Sequence, residues 1–387
     1  DNPDLTSPLL LRAGYEGNYR VSMFFSEPMD ATSLSEPGNY NLNQGIGNPQ
    51  DAIIFGPDNR RVDLILPQPM EEGIIYEISV SNQVVDCAQN PIRDTTVRAA
   101  IPRMADSLGV VINEVLFNPP DQGVRYVELF NRSAEVIDLR HYILSSKDTI
   151  ENVLAGVQEI SQESQLLFPG EYRVLTPDPE AVKKQYMTTN PLGFIATTLS
   201  SMSNTGGIIV LASKGQEITD MMVYDEDMHY ALLTDKKGVA LERLNYDRPT
   251  SDRSNWHSAA RNVGFGTPGY QNSQFTLNID SGEEVFEVYP RIFSPDNDGV
   301  DDVLNLSYKM EQTGFTANVT VYDSRGRLIK TLYQSELLAT TGVMVWDGTT
   351  DDFQKADIGI YIIFIELFEP GGTVKTYKKT AVVGGKL

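Results

Sequence analysis

Apolar residues recur at every second position in short bursts along this chain. Arg20-Val21-Ser22-Met23-Phe24-Phe25 alternates and stops at Pro28. Arg61-Val62-Asp63-Leu64-Ile65-Leu66 and Tyr76-Glu77-Ile78-Ser79-Val80 alternate again. A period of two turns one face to a core and the other to water, which marks a strand. Val110-Val111-Ile112-Asn113-Glu114-Val115-Leu116-Phe117 and Tyr126-Val127-Glu128-Leu129-Phe130 follow, each ended by Asn or Pro. Between them runs Pro119-Pro120-Asp121-Gln122-Gly123, a connection that no helix tolerates, so two strands joined by a loop are expected. Further strand-like runs recur up to Val374–Val383, separated by Gly, Pro and Asn. One stretch reads otherwise. Asp178 is placed as an N-cap, Pro179 at the first helical position and Glu180 in the first turn, which predicts a short helix over 179–186.

Composition agrees with strands. The 387 residues are too many for one sandwich and suit about two to four domains. A hydrophobic share of 41% supports real cores, and 30 Gly and 21 Pro lean towards an all-β chain. No apolar run approaches the roughly 18 residues of a membrane span. No signal peptide opens the chain, and Asp1-Asn2-Pro3-Asp4 reads as a linker from an upstream portion. The net charge of −22 is spread over the whole length, so nucleic acid is repelled rather than drawn in. The single cysteine, Cys87, cannot form an internal disulfide and is expected as a small buried residue.

Three sets of motifs carry resemblances. Phe25-Ser26-Glu27-Pro28-Met29-Asp30, Asn39-Tyr40, Gly73-Ile74-Ile75-Tyr76 and Asp86-Cys87-Ala88-Gln89-Asn90 resemble, in order, the bacterial Ig-like domain of surface-layer proteins. Gln89 there replaces a usual Gly. Ile112-Asn113-Glu114, Tyr126-Val127-Glu128-Leu129, Ile137-Asp138-Leu139, Leu241-Glu242-Arg243 and Thr267-Pro268-Gly269-Tyr270-Gln271-Asn272 resemble the lamin-tail domain. The departures are Thr205-Gly206-Gly207, which lacks the acid usual after the glycine, and Val239-Ala240, where Ser is common. Ser294-Pro295-Asp296-Asn297-Asp298-Gly299, Val321-Tyr322-Asp323, Trp346-Asp347-Gly348 and Gly359-Ile360-Tyr361 resemble the flagellar-hook-cap-type Ig-like domain of secreted Bacteroidota proteins. The lysines and valines of 378–383 are also similar to a type IX secretion sorting domain. These resemblances imply an all-β fold class of three consecutive Ig-like β-sandwiches, over 1–102, 103–285 and 286–387. At most one or two short helices are expected, in the central one.

Candidate chemistry is sparse. Ser294, Asp296, Asp298 and Asp302 are spaced like the first half of a calcium loop, but Asn305 stands where a bidentate Glu would close it, and a metal-free Asx-rich turn is the alternative. Thr95, Ser107 and Thr149 follow aspartates in triplets that resemble O-glycan acceptor sites of Bacteroidota. His141, His229 and His257 lie on separate segments without zinc-ligand spacing, and Ser251, Ser254 and Ser258 near His257 form no recognisable triad. Glu114 and Glu128 have the chemistry of an acid–base pair, but a structural role is expected of them, and Asp30 and Asp86 are expected as turn-formers. No cofactor is expected apart from calcium. The resulting expectation is a non-catalytic exported protein of a Gram-negative surface, extracellular or outer-membrane-associated. It would serve adhesion, scaffolding or protein interaction, with protein or glycan partners and no nucleic acid. Two alternatives are the C-terminal accessory region of a larger secreted nuclease or hydrolase, and a subunit of an outer-membrane protein complex.

Overall fold

The computed structural model describes residues 4–93, 95–148, 150–276 and 284–385. The chain is all-β, strands in several sheets with two short α-helices among the described residues. The first part pairs a four-stranded sheet, ordered Leu10–Tyr15, Arg20–Phe25, Arg61–Ile65, Asp51–Phe55, with a three-stranded one, Tyr40–Leu42, Tyr76–Val80, Thr96–Ala99. Val21, Met23 and Leu64 from one sheet and Tyr40, Ile78 and Ala99 from the other share one hydrophobic core. The alternation seen in the sequence is the inward row of each strand.

The central part sets a six-stranded sheet against a four-stranded one. The former runs Phe194–Ala196, Tyr172–Thr176, Tyr126–Asn131, Val110–Leu116, Leu241–Arg243, Trp256–Ser258; the latter Val153–Glu159, Tyr142–Asp148, Gly206–Ser213, Ile218–Asp225. Ile112, Leu129 and Trp256 meet Leu144, Leu211 and Met222 between them. The outer face of the six-stranded sheet carries a second cluster, Leu116, Tyr126, Val174, Val182, Tyr186, Ala240 and Ala259. That face is covered by the helix Pro179–Gln185, whose Asp178 cap accepts the Ala181 N–H at 3.1 Å as the sequence predicts. The last part pairs Phe286–Tyr289, Leu304–Lys309 and Thr341–Trp346 with a five-stranded sheet in which Val374–Val383 and Gly359–Phe368 are neighbours. Its core holds Phe286, Trp346, Val319 and Ile363.

Two expectations need correction. The second helix, Ala31–Leu34, lies in the first sandwich rather than the central one, because the Asp30 side chain accepts the Ser33 N–H at 2.9 Å and nucleates a turn. Cys87 is exposed, not buried. Asp86 is the buried residue of that loop; its carboxylate accepts the N–H groups of Ala88 and Asn90 at 2.7 and 2.8 Å, and the tight turn points Cys87 outward.

Candidate functional site

Register places Glu128, Glu114, Glu242 and His257 directly opposite one another across four adjacent strands of the six-stranded sheet. The three carboxyl groups are fully buried, at 0% exposure. A bulge between Ile112 and Glu114 re-aims the strand, so Asn113 also reaches the row, donating to Glu128 Oε1 at 2.8 Å.

The row grips the segment that closes the central sandwich, residues 266–274. Glu114 Oε1 accepts the Thr267 N–H at 2.9 Å and the Tyr126 hydroxyl at 2.6 Å. Glu128 Oε2 accepts the Gly269 N–H at 2.5 Å. Glu242 Oε2 accepts the Ser273 hydroxyl at 2.7 Å and the Gln274 N–H at 2.9 Å. The Thr267 hydroxyl lies 2.7 Å from Glu242 Oε1 and 3.2 Å from Glu114 Oε2. Buried polar groups persist only when bonded, and these carboxyl groups are bonded to the backbone and side chains that they hold in place. Burial, then the neighbouring Glu242 charge, pushes Glu114 up to about 8. Glu128 is pushed well above the usual carboxylate range by burial and Glu114, and Glu242 upward by burial. The adjacent Arg243 points its buried guanidinium to Ile112 O, Arg248 O, Thr250 Oγ1 and Asp220. Sequence reading flagged Glu114 and Glu128 but took Glu242 only as part of a motif.

The gripped segment leads to the last sandwich. Gln274 Nε2 donates to Asp302 Oδ2 at 2.9 Å and Asn297 Oδ1 at 3.3 Å. Asn297 Nδ2 donates to Ala259 O, the Arg261 N–H to Asn297 O, and the Tyr230 hydroxyl to Pro295 O. Thus the loop read as a calcium candidate is also the seat between two sandwiches. Within it, Asp302 accepts the N–H groups of Asp296, Asp298 and Gly299 as well as Gln274. Ser294 contributes backbone bonds, its N–H to Asp301 O and its carbonyl from the Asp296 N–H. One oxygen each of Asp296, Asp298 and Asp302 lies within 4.8 Å of the others, and Asp296 Oδ1 is buried without a hydrogen-bond partner. The oxygen donors fit a hard cation.

The other residues singled out in the sequence scatter. Thr95 and Ser107 are exposed, on a strand entrance and a turn; Thr149 lies outside the described residues. His141 is exposed, whereas His229 and His257 are buried. Ser258 pairs with His229 rather than His257: its hydroxyl is 3.0 Å from His229 Nδ1 and accepts the Tyr230 N–H at 2.9 Å. Ser258 is fully buried, so no substrate reaches it as arranged. Ser254 is engaged by Arg248 and Asp252.

An open cleft of about 1120 Å³ separates the first and central sandwiches. On one wall guanidinium groups and rings alternate: Arg12 lies 3.4 Å from the Phe24 ring centre, and Arg61 lies 5.3 Å from Phe24 and 4.2 Å from Phe55. Phe55 is 56% exposed. Glu163 bonds Arg12 at 2.8 Å across the cleft. Above the cleft, Tyr15 N–H donates to Ser164 Oγ, Ser164 to Asp138 Oδ2, and Arg140 to Glu16 and Tyr15 O. No local spacing announces this cleft, since its two walls, one ending at Arg61 and the other beginning at Val157, are far apart in the sequence.

No family model and no curated protein matches the chain. Among solved structures it is similar to the N-terminal part of the bacterial S-layer protein SbsC, at 12% identity and TM-score 0.24, over 57% of this chain and 44% of that one. Dimeric latent PorU from Porphyromonas gingivalis overlaps at 10% identity and TM-score 0.22, over 98% of this chain and 34% of that one. A DUF4876 family protein from Bacteroides thetaiotaomicron gives 10% identity and TM-score 0.29, over 68% of this chain and 98% of that one. The chain spans about half the length of the SbsC structures and about a third of PorU. The overlaps are too loose to carry a role over to this chain.

Proposed function

We propose that this is a non-catalytic protein exported to a bacterial cell surface, where it presents three joined sandwiches for adhesion, scaffolding or protein interaction. The observation that carries this reading is the contrast between two polar features, one inside the central sandwich and one on the wall of the first. The buried glutamates are spent on holding a segment in place, while on the wall of the first cleft Phe55 is exposed over the half-buried, ion-paired Arg61. Stacked guanidinium groups and rings suit a polar partner with a flat apolar face, a glycan or a protein surface. The motif resemblances to lamin-tail and surface-layer Ig-like domains support the same placement, as does the sorting-like last strand. Fold alone would not assign it. Thr95 and Ser107 sit where surface glycans would be accommodated.

Intact cells of the source organism treated with a protease that cannot enter them provide the test. Digestion of this chain while a cytoplasmic control survives is expected, and so is capture of a surface protein or glycan that the double variant Phe55→Ala/Arg61→Ala fails to hold. Full protection until lysis would overturn the placement; equal capture by the double variant would overturn the role of the cleft. In the same reading Asp296, Asp298 and Asp302 would hold calcium. Added Ca²⁺ should then raise the Tm and Asp298→Asn should abolish the rise, measured by calorimetry.

A further inference from the structure

The glutamate row contains six carboxyl oxygens, and five have donors of their own. Glu128 Oε1 and Oε2 take Asn113 and Gly269; Glu242 Oε2 takes Ser273 and Gln274; Glu114 Oε1 takes Tyr126 and Thr267 N–H. Glu242 Oε1 takes the Thr267 hydroxyl at 2.7 Å. The sixth, Glu114 Oε2, has that same hydroxyl beside it at 3.2 Å. A threonine hydroxyl has one proton to give and lone pairs to spare, and here the proton goes to the nearer oxygen. The remaining contact closes when Glu114 itself supplies a proton, donating to Thr267 Oγ1 while Thr267 donates to Glu242. The structure assigns Glu114 as a proton-holding carboxylic acid whose ionisation loosens residues 266–274, and with them the seat of the last sandwich, as pH rises.

The surroundings favour this. Facing Glu114 are Tyr126 and Glu128 on one neighbouring strand, Glu242 on the other, His257 one strand beyond, Tyr186 after the helix, and Tyr270 of the gripped segment. No lysine or arginine bonds any of the six oxygens among the described residues. Two adjacent buried carboxylates without a cation cannot both ionise cheaply. The sign follows from linkage. Released from the clasp, Glu114 would ionise near its ordinary 4.5, whereas inside it ionises near 8. The closed form therefore holds the extra proton between these values. Its grip is strongest below the lower one, weakens as pH rises, and levels off above the upper one. Through Gln274 the weakening reaches Asn297 and Asp302.

Two measurements on the full chain test this. Sequence-assigned carbon-13 titration of glutamate carboxyls should find Glu114 still protonated at about pH 6.5, two units above an ordinary Glu. Hydrogen exchange at the amides of Thr267, Gly269 and Gln274, corrected for the intrinsic effect of pH, should report an opening constant rising up to about tenfold per pH unit below 8. Glu114→Gln, whose amide can donate to Thr267 in the acid's place, should lower that slope. An ionised Glu114 at pH 6.5 in the native protein, or identical slopes in the two proteins, would overturn the assignment. The carboxyl titration needs no variant, so a poorly folding Glu114→Gln leaves it intact.

Discussion

Two buried side chains tilt the pH dependence of the central sandwich in opposite directions. His229 is pushed down to about 3, first by burial and then by the charges of Lys236 and His257. Its folded form refuses a proton that the unfolded chain accepts below 6.5, so stability is lost as pH falls from 6.5 towards 3. At pH 5 this amounts to about 2 kcal/mol. Between 4.5 and 6.5 this slope opposes that of Glu114 and largely offsets it, so the replacement His229→Gln should uncover the Glu114 trend there, with stability falling as pH rises in a denaturation-versus-pH series. A neighbouring prediction concerns Arg243, fully buried with Asp220 as its acid partner at 3.4 Å. Arg243→Met takes the cation from Asp220, which keeps the Ile112 and Met221 N–H groups, and a donor from two carbonyls, and should cost about 3–5 kcal/mol in chemical denaturation. Local signals made some of these residues legible and left others dark. Glu114 and Glu128 drew attention because acids are rare in apolar runs. Glu242 did not, because its membership in the row depends on register across three strands and on a bulge that no single segment encodes. Cys87 was misread for a related reason: the buried residue of its loop is the turn-forming aspartate next to it.

Strands and turns were the most legible elements. Period-two alternation locates Arg61–Ile65 and Tyr76–Val80, and the Asp178-Pro179-Glu180 start locates the helix to within one residue of its end. What the pattern omits is where elements of different sandwiches touch. Gly14, inside the strand Leu10–Tyr15, illustrates this. A β-carbon there would lie 2.7 Å from Ser22 Oγ and 2.9 Å from Ser164 Cβ, the latter across the junction with the central sandwich. Nothing near Gly14 in the sequence shows that Ser164 approaches it. Gly14→Val should push the first sandwich off its seat, breaking the Tyr15–Ser164 bond. Small-angle scattering should show a broader distribution of interatomic distances, with the strand content by circular dichroism retained.

At the scale of the whole molecule, the three sandwiches are tied by polar contacts at both junctions, supplemented at the first by Ala100, Val136, Leu166 and Phe168. At the second junction Asn297 does most of the tying. It is 3% exposed and adopts a φ of 58°, a conformation that asparagine tolerates better than most residues. Asn297→Ala removes its side-chain bonds to Ala259 and Gln274 and leaves their partners buried, a cost of about 2–4 kcal/mol at the joint. Limited proteolysis should then release the last sandwich intact at protease levels that leave the native chain whole. In the sequence Asn297 is only one member of the oxygen-rich run Ser294–Gly299, and the composition of that run says nothing of the surface on which it lands.

The clasp also has a mechanical side. Tension drawn through the last sandwich would enter the central one along residues 266–274, the segment that the three glutamates hold at several points at once. Such a load is shared among bonds to three different strands instead of peeling them one by one. The seat at Asn297 would yield first, then the clasp, and only then the sandwich itself, so a chain under pull would lengthen in steps before any core is lost.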